Sequence, residues 1–371
     1  MKVKLGDLTK IRTGKLDANA SSPNGKYPFF TCSKEPLRIN SHSYDCECVL
    51  VAGNGDLNVK YYNGKFDAYQ RTYIIEDNGS NQLYMPYLYY FMEGYVEELR
   101  KLSIGGVIKY IKLGNLTEAL IELPKIEDQR TIVDILNKSK RILSYHQQQL
   151  QKLDELVKAR FVEMFGMPGT DTKGWGLQYL GTCCELNPKK GTDKRLVSGL
   201  SVSFVPMPAV SESGKIDASQ IKAYDEVKTG FTYFAENDVL FAKITPCMEN
   251  GKGAVAVGLC NNIGFGSTEF HILRPINNKS NPYWLYSLTS FDAFRKDAAD
   301  NMTGSAGQRR VPAVFLEKYK VTLPPIELQN QFAAFVEQTD KSKLQVPSGN
   351  ALCIRYPIFY RNNIFERSIK C

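Results

Sequence analysis

The stretch from Glu127 to Phe165 most constrains what this sequence can fold into, because it has the pattern of one long amphipathic helix. From Ile132 onward, the seam positions alternate at spacings of four and three residues, which is a heptad pattern. Neither glycine nor proline interrupts it before Gly166. The pattern predicts a helix of about 39 residues, roughly 58 Å long at 1.5 Å per residue. Because such a helix needs a cover for its apolar stripe, the sequence also predicts a second long helix as its partner.

The partner lies in an internal repeat near the end of the sequence. The segment Leu123–Gln129 (LPKIEDQ) matches Leu323–Gln329 (LPPIELQ), and the apolar positions that follow keep the same spacing. A weaker match relates Val3–Gly6 to Gln178–Gly181. Duplication explains these matches better than coincidence, because a short motif recurs by chance more easily than a motif with a matching hydrophobic register. The predicted helix–helix seam comprises Ile132, Leu136, Leu143, Leu150, Leu153 and Val157 of the long helix, with Phe332 and Val336 of its partner.

This order of segments resembles the specificity subunit of type I restriction-modification enzymes. A globular region, an entry of the form Leu-Pro-x-Ile-Glu-x-Gln and a long helix are followed by a second copy of all three. Asp238–Lys252 (DVLFAKITPCMENGK) is similar to a segment that recurs in the second recognition domain of that family. Gly25–Cys32 (GKYPFFTC), followed by Cys48–Gly55 (CVLVAGNG), is similar to another type of recognition domain. The resemblance extends from residue 1 to about residue 343, and it rests on the order and duplication of the segments.

The resemblance implies an α+β fold with two mixed α/β target-recognition domains, joined by long antiparallel coiled-coil helices and related by a pseudo-twofold internal repeat. The residues agree with it, because strand-like runs such as Tyr27–Thr31 and Val239–Ile244 alternate with turn clusters, while Tyr87–Leu102 and Tyr283–Arg295 have helical spacing. The predicted domains are a first target-recognition domain (1–122), a central helix for spacing and docking (123–166), a second target-recognition domain (167–322), a shortened distal helix (323–344), and an atypical tail without heptads (345–371). The tail resembles the product of a frame change or of a recombination junction in the coding sequence.

Positive charge makes DNA a plausible partner for both globular units. The formal net charge is +8, and cationic side chains gain free energy by releasing counterions from phosphates. Cations mix with tyrosines after the loop at Gly53–Asn58, and Asn187–Arg195 is the most basic loop of the second unit. Ser305–Arg310 occupies the place that Gly105–Tyr110 has in the first half. Glutamine and arginine have the donors that read adenine and guanine. The candidate DNA-binding residues are Lys60, Arg71, Lys189, Lys190, Lys243, Gln308, Arg309 and Arg310.

Each of these basic segments also has an ordinary structural explanation. The glycine-rich loop at Gly53–Asn58 has the composition of a tight turn. The segment after it could be a solvent-exposed strand with ordinary tyrosine packing, and runs of charged residues usually lie on the solvated surface. Charge alone therefore does not separate a DNA-binding protein from a mildly basic protein of another class.

The sequence lacks the motifs of an enzyme active site. No phosphate-binding loop of the form Gly-x-x-x-x-Gly-Lys-Ser/Thr is present, and no Asp/Asn-Pro-Pro-Tyr/Phe adenine-methylation motif occurs. The histidines His42, His146 and His271 lie far apart, and the nine cysteines show no zinc-binding spacing. There is also no apolar run long enough to span a membrane and no apolar leader. We therefore expect a cytoplasmic, non-catalytic protein without a metal site or membrane association.

The resemblance also implies partners. Double-stranded DNA would be read in two short stretches, about 34 Å or one helical turn apart. Two modification (methyltransferase) subunits would bind S-adenosylmethionine and flip the target adenine out of the stack, and restriction subunits would use ATP and magnesium to move DNA before cleaving it. This chain would itself bind no cofactor. The helices would set the spacing and dock the modification subunits.

Three alternatives remain open from the sequence. The chain could be a self-contained nuclease or methyltransferase, which activity of the purified chain alone would indicate. It could be a coiled-coil interaction scaffold that never contacts DNA. Within the family, it could be a silent or truncated cassette, because the second helix is about half as long as the first and the tail after it has no heptad pattern.

Overall fold

A computed structural model describes residues 2–305 and 307–345. The tail predicted as frame-changed therefore lies outside the described residues, apart from Gln345. Contacts divide the described chain into two compact units, with the boundary between Tyr145 and His146. The long helix begins in the first unit and ends in the second.

The first unit is built on one sheet with a helix packed across it. Its main sheet has the strand order β2-β7-β5-β6-β3-β4, and β1 pairs separately with β8. The strands are β1 Lys2–Lys4, β2 Thr9–Thr13, β3 Tyr27–Phe30, β4 Leu37–Ile39, β5 Tyr44–Ala52, β6 Val59–Ala68, β7 Thr72–Asp77 and β8 Leu120–Glu122. The helices are α1 Leu5–Leu8, α2 Met85–Leu102 and α3 Leu113–Thr117, followed by α4 Ile126–Phe165, which continues into the second unit. Helix α2 buries Leu88, Met92 and Leu99 against Val49 and Ile75 of the sheet.

The second unit repeats this plan and adds a second sheet. Its sheets have the orders β10-β17-β14-β15 and β12-β11-β16-β13, and β18 pairs with β9. The strands are β9 Leu177–Tyr179, β10 Cys184–Leu186, β11 Ser201–Val205, β12 Ile221–Ala223, β13 Thr232–Ala235, β14 Val239–Ala242, β15 Gly253–Val255, β16 Ile263–Gly266, β17 Phe270–Pro275 and β18 Lys320–Thr322. The helices are α5 Tyr224–Val227, α6 Pro282–Ser290, α7 Asp292–Asp300, α8 Ala313–Lys318 and α9 Ile326–Gln345.

The duplication extends through the core of both units. The order β2-β7-β5-β6 in the first unit corresponds to β10-β17-β14-β15 in the second, and each sheet is antiparallel throughout these four strands. The short ribbon before the long helix is also repeated, since Val3 pairs with Ile121 and Gln178 pairs with Val321. The predicted α+β fold and its internal repeat are confirmed, and the repeat includes strands whose sequences no longer match.

The predicted antiparallel pairing of the two long helices is confirmed within the second unit. The ring of Phe332 on α9 lies 5.5 Å from that of Phe161 and 5.4 Å from that of Phe165 on α4. Further along α9, Lys343 Nζ is 2.7 Å from a carboxylate oxygen of Asp154, earlier in α4. Residues later in α9 therefore contact residues earlier in α4, so the two helices run in opposite directions.

The predicted seam residues lie in different surroundings. Val157, Phe332 and Val336 pack in the core of the second unit, whereas Ile132 packs against the core of the first unit. The remaining leucines are half-buried along α4, at positions Leu136, Leu143, Leu150 and Leu153. The assignment of these residues to a single helix–helix seam stays a prediction.

One predicted helix is wrong in extent. The spacing predicts one helix over Tyr283–Arg295, but the structure has two helices, α6 and α7, separated at Phe291. The backbone of Phe291 is extended, with φ −67° and ψ 141°. Its buried ring lies 5.0 Å from the ring of Phe161. Tertiary packing of this aromatic ring therefore interrupts a segment whose local spacing favours one continuous helix.

The described residues include no helix that is both long enough and apolar enough to cross a membrane.

Candidate nucleic-acid interface

A hairpin loop at one edge of the second unit carries three of the predicted DNA-binding residues. Thr303 and Arg310 exchange backbone hydrogen bonds of 2.9 and 2.8 Å, which closes the loop between them. The N–H of Val311 donates to the carbonyl of Lys243 at 2.9 Å, and the N–H of Lys243 donates to the carbonyl of Glu269 at 2.9 Å. These bonds bring Lys243, Glu269 and Arg310 together from three separate segments. Within this loop, Ala306 lies outside the described residues.

The first unit has the same hairpin in the same place. Ile104 and Tyr110 exchange backbone hydrogen bonds of 3.0 and 2.8 Å. Ile111 N–H donates to the Gly53 carbonyl at 2.9 Å, and Gly53 N–H donates to the Arg71 carbonyl at 2.8 Å. The predicted equivalence of the loops at 105–110 and 305–310 is confirmed by this shared hydrogen bonding.

The shared hydrogen bonds also identify equivalent residues that the sequence does not align. Gly53 corresponds to Lys243, and Tyr110 corresponds to Arg310. Arg71 in the first unit takes the position that Glu269 has in the second. The two units therefore place different chemistry on one scaffold.

The ion pair between Glu269 and Arg310 fixes one side of the loop. The guanidinium makes two close contacts, with Nε donating to Oε2 at 2.9 Å and Nη2 donating to Oε1 at 2.8 Å. The hydrogen bonds from Arg310 hold the pKa of Glu269 below its usual value, and those same bonds raise the pKa of Arg310. Most of the hydrogen-bond donors of Arg310 are thus used within the second unit, chiefly by the carboxylate of Glu269.

Gln308 and Arg309 are both exposed in the same loop. The guanidinium of Arg309 lies 3.8 Å from a carboxylate oxygen of Glu249, a longer separation than in the pair at Arg310. The donors of Gln308 and Arg309 are therefore more available for a partner than those of Arg310.

A basic cleft of about 440 Å³ adjoins this edge. It is lined by Lys190, Lys228 and Lys243 together with the rings of Phe231 and Tyr233. Lys190 Nζ donates to the carbonyl of Lys228. Burial lowers the pKa of Lys243, which is half-buried. Lysines around a concave surface suit contacts to phosphate, which position a protein on DNA without reading sequence.

Lys189 is exposed next to this cleft, in the basic loop before β11. The structure therefore brings Lys190 and Lys243, which are distant in sequence, to one surface, with Lys189 adjacent in the chain. Their role in binding DNA stays a prediction.

The two candidates in the first unit differ in availability. Arg71 is exposed in the turn between β6 and β7. Lys60 is half-buried and donates to Oδ1 of Asn58, and burial lowers the pKa of its amine. Arg71 therefore lies at the edge that carries the hairpin, whereas Lys60 is engaged within its own unit.

The sequence analysis did not predict a concave surface on the first unit. This cleft, of about 680 Å³, is lined by Lys26, Arg38, Lys65, Tyr27 and Tyr62 among others. Its residues come from different strands, and the pairing of β3 with β4 and β6 brings them together. Because β6 begins only at Val59, well after β4 ends at Ile39, no local signal brings Tyr62 and Lys65 together with the earlier residues of this surface.

Lys109 was also missed, although the repeat offered a signal for it. Its carbonyl accepts the N–H of Gly55 at 3.0 Å, just as the carbonyl of Arg309 accepts the N–H of Thr245 at 3.0 Å. Lys109 is therefore the equivalent of Arg309, and the constant offset between the two copies points to it.

The buried histidine near this edge has a structural role. His271 Nε2 donates to the carbonyl of Val311 at 2.8 Å, and its Nδ1 lies 3.1 Å from Nδ2 of Asn187. In the first unit the hydroxyl of Tyr73 donates to the equivalent carbonyl of Ile111 at 3.1 Å. Across residues 2–305 and 307–345, no three His, Cys, Asp or Glu side chains form a group that could hold a metal ion.

Comparison with known proteins identifies the family. The model of the type I restriction modification DNA specificity domain matches residues 1–155 and 199–348. The chain belongs to this family. The specificity subunit of the type I restriction enzyme EcoDI from Escherichia coli is 29% identical over 369 residues, which cover 91% of this chain and 80% of that relative. Specificity subunits of type I systems are non-catalytic, and this chain is therefore a non-catalytic member of such a system.

Solved structures show the same fold. The type I restriction-modification S subunit from M. genitalium has a TM-score of 0.59 at 16% identity, over 93% of this chain and 90% of that one. A chain from a study of complex assembly and conformational transition of the type I R-M system has a TM-score of 0.51 at 17% identity, over 95% of this chain and 93% of that one. At these identities the likeness concerns the fold alone.

Proposed function

We propose that this chain is the sequence-specific DNA-binding subunit of a type I restriction-modification complex, and that each unit reads one half of a bipartite target. The observation that carries the proposal is the duplicated hairpin, Ile104–Tyr110 in one unit and Thr303–Arg310 in the other, held by equivalent backbone hydrogen bonds beside the equivalent sheet of each unit. Two equivalent hairpins, one in each unit, suit a DNA target that consists of two half-sites. Helices α4 and α9 set the spacing between the halves and dock two modification subunits.

In this proposal, the polar side chains near the hairpin of the second unit divide into two roles. Lys189, Lys190 and Lys243 contact phosphates and set the register on the duplex, because an ammonium is a compact charge without a planar hydrogen-bonding edge. Gln308 and Arg309 contact base edges in the major groove, where glutamine pairs with adenine and arginine with guanine.

The catalytic steps belong to the partners in this proposal. The modification subunits carry S-adenosylmethionine and flip the target adenine out of the duplex, and the restriction subunits use ATP and magnesium. This chain binds none of these cofactors itself. The complex acts in the cytoplasm, on the double-stranded DNA that the specificity subunit selects.

The test is to express the chain with the modification subunits encoded beside it and to map methylation at base resolution. We expect a stable complex and methylation of adenine within one split motif. Arg309→Ala should reduce methylation through one half of the motif, whereas Lys173→Ala, an exposed residue between α4 and β9, should leave it unchanged. A complex that marks no DNA would instead indicate a silent cassette. Failure to form the complex would favour a scaffold, and methylation or cleavage by the chain alone would favour an enzyme.

A further inference from the structure

The hairpin tip of the first unit is apolar and exposed. Val107 is fully exposed, Ile108 is 62% exposed, and Ile104 and Tyr110 at the base of the hairpin are each more than one third exposed. Neighbouring apolar side chains in water raise the free energy of the unbound protein, and clusters of this kind mark interaction sites. The tip of this hairpin is therefore a candidate contact surface.

The base of the hairpin is fixed, so the tip is presented in a defined place. Gly105 has φ +118°, and a Cβ atom there would lie 2.6 Å from the carbonyl oxygen of Ile108. Glycine is therefore required for this turn. Tyr110 forms a β-bridge to Asn54 as well as to Ile104. Val and Ile are stiff at χ1, so ordering the side chains of Val107 and Ile108 against a partner costs little entropy.

The chain segment that forms the tip carries only positive charge. The stretch from Ser103 to Thr117 contains Lys109 and Lys112 and no acidic residue, and both lysines are exposed. An apolar contact framed by cations suits DNA, where apolar groups on base edges lie between two rows of phosphates.

The equivalent hairpin of the second unit indicates which groove is involved. Lys109 corresponds to Arg309 through the shared backbone hydrogen bonds, and Ile108 precedes it as Gln308 precedes Arg309. Glutamine and arginine pair in a bidentate manner with the major-groove edges of adenine and guanine. Because the proposed function places Gln308 and Arg309 in the major groove, the equivalent tip of the first unit is expected to enter the same groove.

Thymine carries the apolar group that a protein meets in the major groove, its C5 methyl. We propose that Val107 and Ile108 contact thymine C5 methyl groups in the half-site that the first unit reads, and that Lys109 contacts an adjacent phosphate. This inference rests on the proposed function and assigns a base preference to one unit. The first half-site is thus recognised through apolar contact, and the second through hydrogen bonds from Gln308 and Arg309.

Replacing thymine by deoxyuridine tests the inference, because it removes only the methyl group. The full chain in complex with its modification subunits is titrated with duplexes of the mapped target, in which each thymine of both half-sites is replaced in turn. At one or two positions of a single half-site, we expect binding to weaken about fourfold, the worth of one buried methyl group. In the double variant Val107→Ser, Ile108→Ser, these positions should lose that sensitivity. The matched variant Val314→Ser, on the exposed surface of α8, should retain it.

The outcomes separate the inference from the proposed function. Specific binding with no thymine sensitive to loss of its methyl group would overturn the inference and leave the function intact. The inference also fails if the double variant remains sensitive to loss of the thymine methyl groups. It fails as well if the unmodified complex shows no such sensitivity and the double variant no longer binds the modification subunits, since the tip would then contact protein. A complex without any sequence preference would overturn the proposed function, and the inference with it.

Discussion

Gln129 and Gln329 make the same hydrogen bonds in the two units. Oε1 of Gln129 accepts the backbone N–H of Tyr84 at 2.8 Å, and Oε1 of Gln329 accepts that of Asn281 at 2.8 Å. Nε2 of each glutamine donates to two backbone carbonyls, at distances between 2.8 and 3.1 Å. Both side chains are fully buried. Each amide thus links the first turn of a long helix to the segment that precedes a shorter helix of the same unit. That shorter helix is α2 in the first unit and α6 in the second.

Gln329→Ala should destabilise the second unit by about 1–3 kcal/mol, because it leaves buried backbone groups without hydrogen-bond partners. Urea unfolding of the full chain measures the effect. Gln331→Ala is the matched control, since Gln331 is exposed on the same helix and surface substitutions usually change stability by less than about 0.5 kcal/mol. Equal effects of the two variants would show that the buried amide is not what holds the helix entry.

Phe332→Ala should lower the free energy of unfolding by about 3–5 kcal/mol, the usual cost of removing a large aromatic side chain from a packed core. Phe332 is fully buried, and its ring contacts those of Phe161 and Phe165 on α4. Thermal or urea unfolding measures the loss. Leu344→Ala, at a residue that is 81% exposed on the same helix, should have little effect. A small loss for Phe332→Ala would mean that α9 contributes little to holding α4.

Much of the fold follows from periodicity in the sequence. The heptad spacing predicts α4 to within one residue of its observed start at Ile126, and the runs at Tyr27–Thr31 and Val239–Ile244 correspond to β3 and β14. These succeed because the spacing of apolar residues is a local signal. The break at Phe291 was not predictable, because it depends on the ring of Phe161 far away in the sequence.

The candidate site was predictable in part. The constant offset between the copies predicted that the loop ending at Arg310 is equivalent to the loop ending at Tyr110. The backbone hydrogen bonds confirm this equivalence. The equivalence of Gly53 and Lys243 could not be seen, since glycine and lysine share no chemistry and the spacing between the copies has changed there. The commitment of Arg310 to Glu269 was also hidden, because an ion pair between segments leaves no pattern in either of them.

Arg309 and Arg310 should respond differently to substitution. Arg309→Ala should weaken binding of the target by about 1–3 kcal/mol and relax the preference at one base position, as expected for loss of a base-reading arginine. Arg310→Ala instead leaves the carboxylate of Glu269 without its partner, and it should weaken all sequences alike. Binding of the assembled complex to the target and to each single-base variant distinguishes the two patterns. The opposite pattern would assign base reading to Arg310.

Lys190→Ala should reduce the salt dependence of DNA binding. A lysine that contacts one phosphate contributes about one to the slope of log affinity against log salt concentration, so the slope should fall by about that amount while sequence preference stays unchanged. Titrations of the complex at several salt concentrations give the slope. Lys173→Ala removes the same charge from an exposed position between α4 and β9 and should leave the slope unchanged. A parallel decrease in both variants would indicate only an effect of net charge.

His271 should make the second unit less stable as the pH falls. Burial lowers the pKa of His271 below its ordinary value of 6.5, and the nearby charges of Lys243 and Glu269 act on it in opposite directions. Below about pH 6.5 the unfolded chain therefore takes up a proton that the folded chain excludes, so the free energy of unfolding decreases by up to about 1.4 kcal/mol per pH unit until the folded histidine also protonates. Urea unfolding at pH 7.5 and 5.5 should show a smaller decrease for His271→Gln than for the unmodified chain. His42→Gln, at an exposed histidine of the first unit, should show the unmodified decrease, and an equal decrease in all three proteins would assign the pH dependence to other groups.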